Sequence, residues 1–511
     1  MSNMKNAYVS FLIIHLFIFG PCSGQEIDSL NIILLDKYNF NSTIFRDEIA
    51  LNPANMFYFR QFSSSEISID YNYEKKNGFY DYTKGSGIEG VKFNAESFQI
   101  LTPDKHVVWG KAYYSKVNQK NVTFNESSDI ENIYPYISAD SIGGTLKSET
   151  YFFEGGYAYH FNTNKIGILG RYRAQLDFRD VDPRPKNLIS DLDIKAGYSK
   201  QLTNQFLISA NIDFKNYSQS NDVKFVSETG HPVLYHMLGL GNYSYLFTGN
   251  IYNTNYNGNA YKAGLQFFNY KKSNFLFSLA FEKFNNEKSE KDSNNKLPMS
   301  KLNNKKYQFN LYKKFNLTPS SSFNIHINGF FQKRTGIEYY YSSNGSVKEQ
   351  IDKKKQYFRT QKGIKLILNY VYKKYKSSYT ISSFTDFQSD NEKYIRPYSS
   401  QKFTYLFYGV NLGWNQVLSN QTHLLFTTTI GWKKTLNHEN KLYTLGLKKS
   451  LTEQLNHDFD LKKSEYFNTQ ANIKLYFKIS NVNLFINQTY QSEFYTGKPN
   501  YLYTSGVGIL F

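Results

Sequence analysis

Apolar and polar residues alternate with a period of two along most of this chain. Over 165–179, Ile166, Ile168, Gly170, Tyr172, Ala174, Leu176 and Phe178 share one parity, while Gly167, Leu169, Arg171, Arg173, Gln175, Asp177 and Arg179 share the other. The pattern returns at Phe206, Ile208, Ala210, Ile212 and Phe214, and again at Phe323, Ile325, Ile327, Gly329 and Phe331. Near the end Phe467, Ala471, Ile473, Leu475, Phe477 and Ile479 oppose Asn468, Gln470, Asn472, Lys474 and Lys478. Helical spacing would scatter these residues around an axis, whereas period two sorts them onto the two faces of a strand.

Connections alternate too. Short turns are predicted at 102–105, 162–165, 202–205, 271–274, 316–321, 372–376, 418–421 and 479–481. Long polar stretches separate them at 118–149, 180–186, 218–257, 285–304, 334–355 and 435–464. Eight turns join eight hairpins and one strand stands at each end, which predicts eighteen strands; weak boundaries leave sixteen open. The expectation is an all-β protein, a transmembrane antiparallel β-barrel of the outer-membrane type with short periplasmic turns and long extracellular loops. Closure removes the unpaired edges that a long open sheet would expose.

Composition supports this. Aromatics make up 18% of the residues, with 45 Tyr and 43 Phe, although 20% are charged. A soluble fold would need a large core to hide so many rings, whereas a barrel turns them toward lipid and its interfaces. The net charge of +18 in a soluble protein would suggest nucleic acid. In an exported barrel it points instead to anionic head groups and solutes, so no nucleic-acid partner is expected.

The two ends specify a compartment. Lys5, an apolar run over 9–19 and Pro21-Cys22-Ser23-Gly24 have the layout of a secretory signal peptide, too short to span a bilayer. Cys22 admits a second reading, as a lipidated cysteine. Cleavage after Gly24 would leave no thiol for a disulfide or a metal. Residues 25–62 then form an N-terminal segment that hangs in the periplasm or plugs the lumen, and 63–511 form the barrel. Tyr501, Tyr503, Val507, Ile509 and Phe511 share one face of the last strand. A terminal Phe on such a strand resembles the signal that outer-membrane barrels present to their assembly machinery. The expected site is the outer membrane of a Gram-negative-type bacterium, with its lipids and that machinery as partners.

Three features could carry chemistry. Arg171, Arg173 and Arg179 share the polar face of one strand and, with Lys474, are expected to face the lumen. There they would favour small anionic solutes or simply pair with carboxylates such as Asp177. The segment 182–187, Asp-Pro-Arg-Pro-Lys-Asn, holds Arg184 and Lys186 on a stiff connection, either folded into the channel or serving as a hairpin link. The histidines are scattered. His231 and His236 share one stretch, yet no Gly-x-Ser-x-Gly, His-Glu-x-x-His or Cys-x-x-Cys accompanies them. No enzyme, cofactor or metal is therefore expected.

Leu51-Asn52-Pro53-Ala54-Asn55 resembles the Asn-Pro-Ala motif of long-chain fatty-acid transporter barrels, which implies a lumen-plugging N-terminus and a hydrophobic substrate. Over most of the chain, residues 52–54, Phe153-Glu154-Gly155-Gly156-Tyr157-Ala158-Tyr159, the segment 182–187 and the aromatic end resemble an outer-membrane β-barrel family known only as a domain of unknown function. That likeness implies fold and location and carries over no site. The expected function is a passive porin-like channel or solute-binding barrel. A hydrophobic-substrate channel, a scaffold for a surface lipoprotein or secretion partner, and an interfacial hydrolase are the alternatives.

Overall fold

The computed structural model describes residues 40–59, 63–77, 79–228, 230–291, 297–342, 349–479, 482–495 and 498–511. The predicted signal peptide and Cys22 lie outside them. The wall begins with β1 (Ser64–Lys76), β2 (Gly87–Thr102) and β3 (His106–Val122), and continues with β5 (Gly144–Phe161), β6 (Asn164–Phe178), β7 (Arg184–Gln201) and β8 (Phe206–Lys224). Next come β11 (Asn253–Asn269), β12 (Phe275–Glu290), β13 (Pro298–Thr318), β14 (Ser321–Tyr341), β15 (Gln350–Lys374) and β16 (Ser377–Tyr394). It ends with β17 (Ser399–Ser419), β18 (Thr422–Lys441), β19 (Tyr466–Ile479), β20 (Val482–Tyr495) and β21 (Lys498–Leu510). Short strands β4 (Ser138–Ala139), β9 (Tyr235–Gly239) and β10 (Asn242–Tyr243) form a separate small sheet.

Each wall strand pairs antiparallel with the next, and β1 pairs with β21, closing an 18-stranded barrel of the outer-membrane type. At the seam Ser65 and Phe511 exchange backbone hydrogen bonds of 2.7 and 2.9 Å. The predicted short turns fall between consecutive wall strands, with 480–481 outside the described residues. Outward parity carries exposed Ile166, Ile168, Tyr172, Ile208, Ile212, Phe214, Phe331 and Ile473, the lipid belt that the alternation predicts.

Strands run further into the predicted loops than the pattern indicates. β12 reaches Glu290 and β13 starts at Pro298, inside the polar stretch 285–304. β14 and β15 likewise invade 334–355. Beyond the apolar belt both faces meet water, so alternation fades while the hydrogen-bond ladder continues.

The lumen is furnished at both ends. At the turn end lies a stopper, made of a helix (Phe40–Ile49) and a 3-10 helix (Pro53–Tyr58). Phe45 and Ile49 pack on Leu207, Phe268, Leu276 and Tyr312 of the wall, and Met56 packs on Phe98 and Val107. At the loop end, inserts 123–143 and 225–252 join a roof helix (Lys449–Lys463) around one apolar cluster. Phe124, Ile133, Tyr235, Met237 and Leu451 meet the wall residues Tyr217, Tyr256 and Phe284 there.

Candidate functional site: a stoppered and roofed lumen

The stopper is seated by amides. Asn52 caps the 3-10 helix, its Oδ1 accepting from the Ala54 N–H at 2.9 Å, with Pro53 at the first helical position. Its Nδ2 donates to the wall carbonyls of Ala210 and Tyr198 at 2.9 and 3.3 Å. Asn55 Nδ2 donates to Gln266 Oε1 at 2.6 Å, and its Oδ1 accepts from the Ser209 hydroxyl at 3.0 Å and from Ser199. Lys195 Nζ donates to the Leu51 carbonyl at 2.9 Å. Asn52 and Asn55 are fully buried, so each of these bonds satisfies a group that would otherwise cost about 1–3 kcal/mol.

The approach is close because two wall positions beneath Asn52 and Pro53 carry no side chain. Gly167 and Gly197 are register partners on β6 and β7. A Cβ at Gly197 would lie 2.0 Å from Asn52 Oδ1, and one at Gly167 would lie 2.4 Å from the Pro53 carbonyl carbon. The Asn-Pro-Ala motif is therefore one half of a docking joint, and this glycine pair is the other. The motif alone did not disclose the pair, although both glycines sit on the inward parity of strands whose other inward residues are mostly long. Beside the stopper a cavity of about 280 Å³ opens between Trp109, Glu96, Lys111, Glu154 and Arg171.

The roof reaches the wall around the bore. Asn187 on β7 and Asn221 on β8 both donate to the Glu126 carbonyl, at 3.0 and 2.7 Å. Tyr256 on β11 donates to the Tyr136 carbonyl at 2.9 Å, and Lys288 on β12 to Ser138 Oγ at 3.2 Å. Arg334 on β14 donates to the Glu131 carbonyl at 2.8 Å, and Tyr134 to Glu392 on β16 at 2.6 Å. The roof helix closes the circuit through Lys462 to Gln401 on β17 at 3.3 Å, and through Lys433 on β18 to the Lys462 carbonyl at 2.7 Å. His457 Nε2 donates to the Tyr80 carbonyl at 2.8 Å, and its ring stacks 4.0 Å from Tyr82.

The predicted basic row faces the lumen, but each member is paired. Arg171 Nε donates to Glu154 Oε2 at 2.6 Å. Arg173 donates to Asp129 of the roof at 3.0 Å and to Asp191 at 3.2 Å, and Lys215 shares Asp191 at 2.9 Å. Arg179 is sealed under the roof with Glu126, side chains 1% and 0% exposed, at 2.8 Å. Lys474 sits 3.4 Å from Glu66 and 3.8 Å over the Phe485 ring. Asp177 is not their partner; it accepts from Ser128 of the roof and from Gln175. Of the two readings of this row, pairing with carboxylates is the arrangement seen: Arg171 and Lys474 pair within the wall, and Arg173 and Arg179 tie the wall to the roof.

Other expected positions fall elsewhere. Arg184 and Lys186 belong to β7 and point outward, exposed, so the 182–187 segment does not fold into the channel. Asp182 instead accepts from Arg184 Nε and from the Val226 and Ser227 amides, all at 2.7 Å, joining two connections. Tyr503, Val507, Ile509 and Phe511 lie exposed on the outer face of the last strand, with Tyr501 half-buried. His236 is buried, its Nε2 2.9 Å from the Ile251 carbonyl, while His231 stacks on Phe225 outside that core. Among the described residues no group of three His, Cys, Asp or Glu could hold a metal ion. In β5, Glu154 holds Arg171, and Gly156 leaves room for the Trp109 indole, 2.2 Å from where a Cβ would lie.

Asp458 gives the roof helix a pH response. Burial and the nearby Asp81 push its carboxyl up to about 7, and its Oδ1 has no partner among the described residues. A raised folded-state value means that the contribution to docking is present at low pH and is lost as pH rises through about 7. Hydrogen-exchange protection of 449–463 should fall between about pH 4 and pH 7 and level off above, and Asp458→Asn should flatten that fall. Equal protection across the range in the unmodified protein would contradict the assignment.

A closed eighteen-stranded wall with an amide-seated stopper and a folded roof defines an outer-membrane-type β-barrel with an occupied lumen. The chain belongs to a family of unknown function, DUF6850, whose model matches residues 53–511. No curated protein matches the sequence. Among solved structures it is similar to BauA, the ferric preacinetobactin receptor from Acinetobacter baumannii, at 9% identity and a TM-score of 0.41, covering 88% of this chain and 80% of that one. The siderophore receptor PiuA from the same organism matches at 6% identity and a TM-score of 0.41, covering 88% and 82%. The ferric-catecholate import receptor Fiu from E. coli K12 matches at 7% and 0.38, again covering 88% and 82%. None of the three is a fatty-acid transporter.

Proposed function

We propose that the protein is an outer-membrane solute-binding barrel, closed at rest, in which any passage of solute requires the roof and the stopper to move. The observation that carries this reading is the seating of buried Asn52 and Asn55 in the lumen wall beneath a roof hydrogen-bonded around the bore. An always-open porin would leave its constriction charges to solvent; here Arg171, Arg173, Arg179 and Lys474 are paired. A lateral exit for hydrophobic substrate needs a break in the wall, whereas every neighbouring wall strand is paired. On this reading the protein is not an enzyme. Outer-membrane lipid meets the outward apolar belt, the final strand serves assembly, and the basic excess meets anionic head groups rather than nucleic acid.

Planar-bilayer recording tests it. The unmodified protein should be electrically silent. A variant with 444–464 replaced by a short Gly-Ser linker, combined with Gly197→Val, should show steady conductance. Steady open conductance in the unmodified protein would refute closure at rest. A combined variant that folds yet stays silent would favour the scaffold reading, which the same packing also supports.

A further inference from the structure

A cavity of about 340 Å³ opens at the loop end between β9, β10, the tops of β12 to β14 and the segments at 396–397 and 443–447. It lies outside the ion-paired lattice and away from the stopper. Tyr243, Tyr245, Phe247, Tyr340, Tyr394 and Tyr443 line it. Tyr245 is 78% exposed at the rim, its ring 4.9 Å from that of Tyr243. Standing aromatic rings in water at the mouth of a concave site is a feature of ligand pockets rather than of ordinary loop surface.

The polar part of the wall is incompletely satisfied. Glu338 Oε2 accepts from the Tyr394 and Tyr340 hydroxyls at 2.8 and 3.1 Å, but Glu338 Oε1 has no partner among the described residues. The Ser300 hydroxyl likewise has no partner among them. His236 Nε2 faces the Ile251 carbonyl at 2.9 Å, so it carries the proton and leaves Nδ1, without a partner among the described residues, as a bare acceptor. All three residues line this cavity and are at least nine-tenths buried. Three polar groups without a partner among the described residues stand in the wall of one cavity, where a small side-chain shift would turn them toward a ligand rich in hydrogen-bond donors.

Charge narrows the class. Arg396 also lines the site and opposes a cation. Glu338 and the His236 lone pair oppose an anion. A neutral molecule remains, with hydroxyls for the acceptors and an apolar C–H face for the rings. We propose that this aromatic-walled cavity, with Glu338, His236 and Ser300 in its wall, is a binding site for a neutral saccharide of one or two rings. The site does not depend on whether the barrel conducts, so binding and conductance fail separately.

The test is isothermal titration of the full-length, detergent-solubilised barrel with glucose, N-acetylglucosamine, maltose and cellobiose, using spermidine and citrate as charged controls. At least one saccharide should bind with a dissociation constant in the millimolar range or below. Tyr245→Ala should weaken it about fivefold through the lost ring face, and Glu338→Gln about tenfold through the lost acceptor oxygen. Tyr245 is exposed, so its replacement keeps the test decisive if Glu338→Gln does not fold. Absence of saccharide binding, binding unchanged by Tyr245→Ala, or binding of spermidine or citrate alone would each overturn the proposal.

Discussion

Replacing Arg179 with Met should unfasten the roof at its root. Arg179 donates to Glu126 Oε1, to the Pro183 carbonyl at 3.1 Å and to the Val122 carbonyl at 3.4 Å, all beneath solvent. Methionine keeps most of the volume and leaves Glu126 buried beside Asp140 without a counter-charge. Breaking a buried pair from one side costs about 3–5 kcal/mol, enough to open the 123–143 insert while the barrel wall persists. The expected readout is loss of hydrogen-exchange protection over 123–143 with heat-modifiable barrel mobility retained. Burial, then Asp140, already holds the Glu126 carboxyl well above its ordinary value. Its contribution is therefore present at low pH and lost as pH rises through that raised value, so the Arg179→Met defect should be smaller in acid. Arg179→Met with Glu126→Gln should recover part of the protection. A roof equally protected in Arg179→Met and the unmodified protein would show that the pair does not hold it.

Gly197→Val should release the stopper. The new Cβ would start 2.0 Å from Asn52 Oδ1, and the amide cannot retreat without losing the Ala210 and Tyr198 carbonyls. Overpacking of this kind costs about 1–3 kcal/mol, and each 1.4 kcal/mol shifts the seated fraction about tenfold. Residues 40–59 should become cleavable by protease added from the turn end, with the wall intact. Asn55→Ala should act in the same direction, because Gln266, Ser199 and Ser209 lose their shared partner. Gly170→Ala is the control: a Cβ there meets nothing within 4 Å and should leave the stopper protected. A stopper still resistant in Gly197→Val would mean that the glycine joint does not position it.

The wall was legible from local pattern. Ile166, Ile168 and Tyr172 against Arg171 and Arg173 report a strand with different solvents on its two faces, and that constraint acts residue by residue. The short turns, the eighteen strands and the outward face of the final strand follow from the same constraint. Strand ends past the apolar belt did not, because water on both sides removes the alternation at β12 to β15 while the backbone ladder goes on.

The content of the lumen is a different kind of information. Asn52 finds its wall carbonyls 146 and 158 residues away, and Asn55 finds Gln266 at a separation of 211. Asp129 and Glu126 look like solvated loop acids in sequence, yet they take Arg173 and Arg179 as partners. A polar stretch has the same composition whether water or a distant side chain satisfies it, so local chemistry cannot distinguish a free loop from a folded roof. The sequence by itself determined a closed wall with an apolar outer face, because alternation is set by the surroundings on either side of each residue. Only the tertiary structure decided that the bore is stoppered, roofed and charge-paired, because those hydrogen bonds and ion pairs exist only once closure brings remote strands around one space.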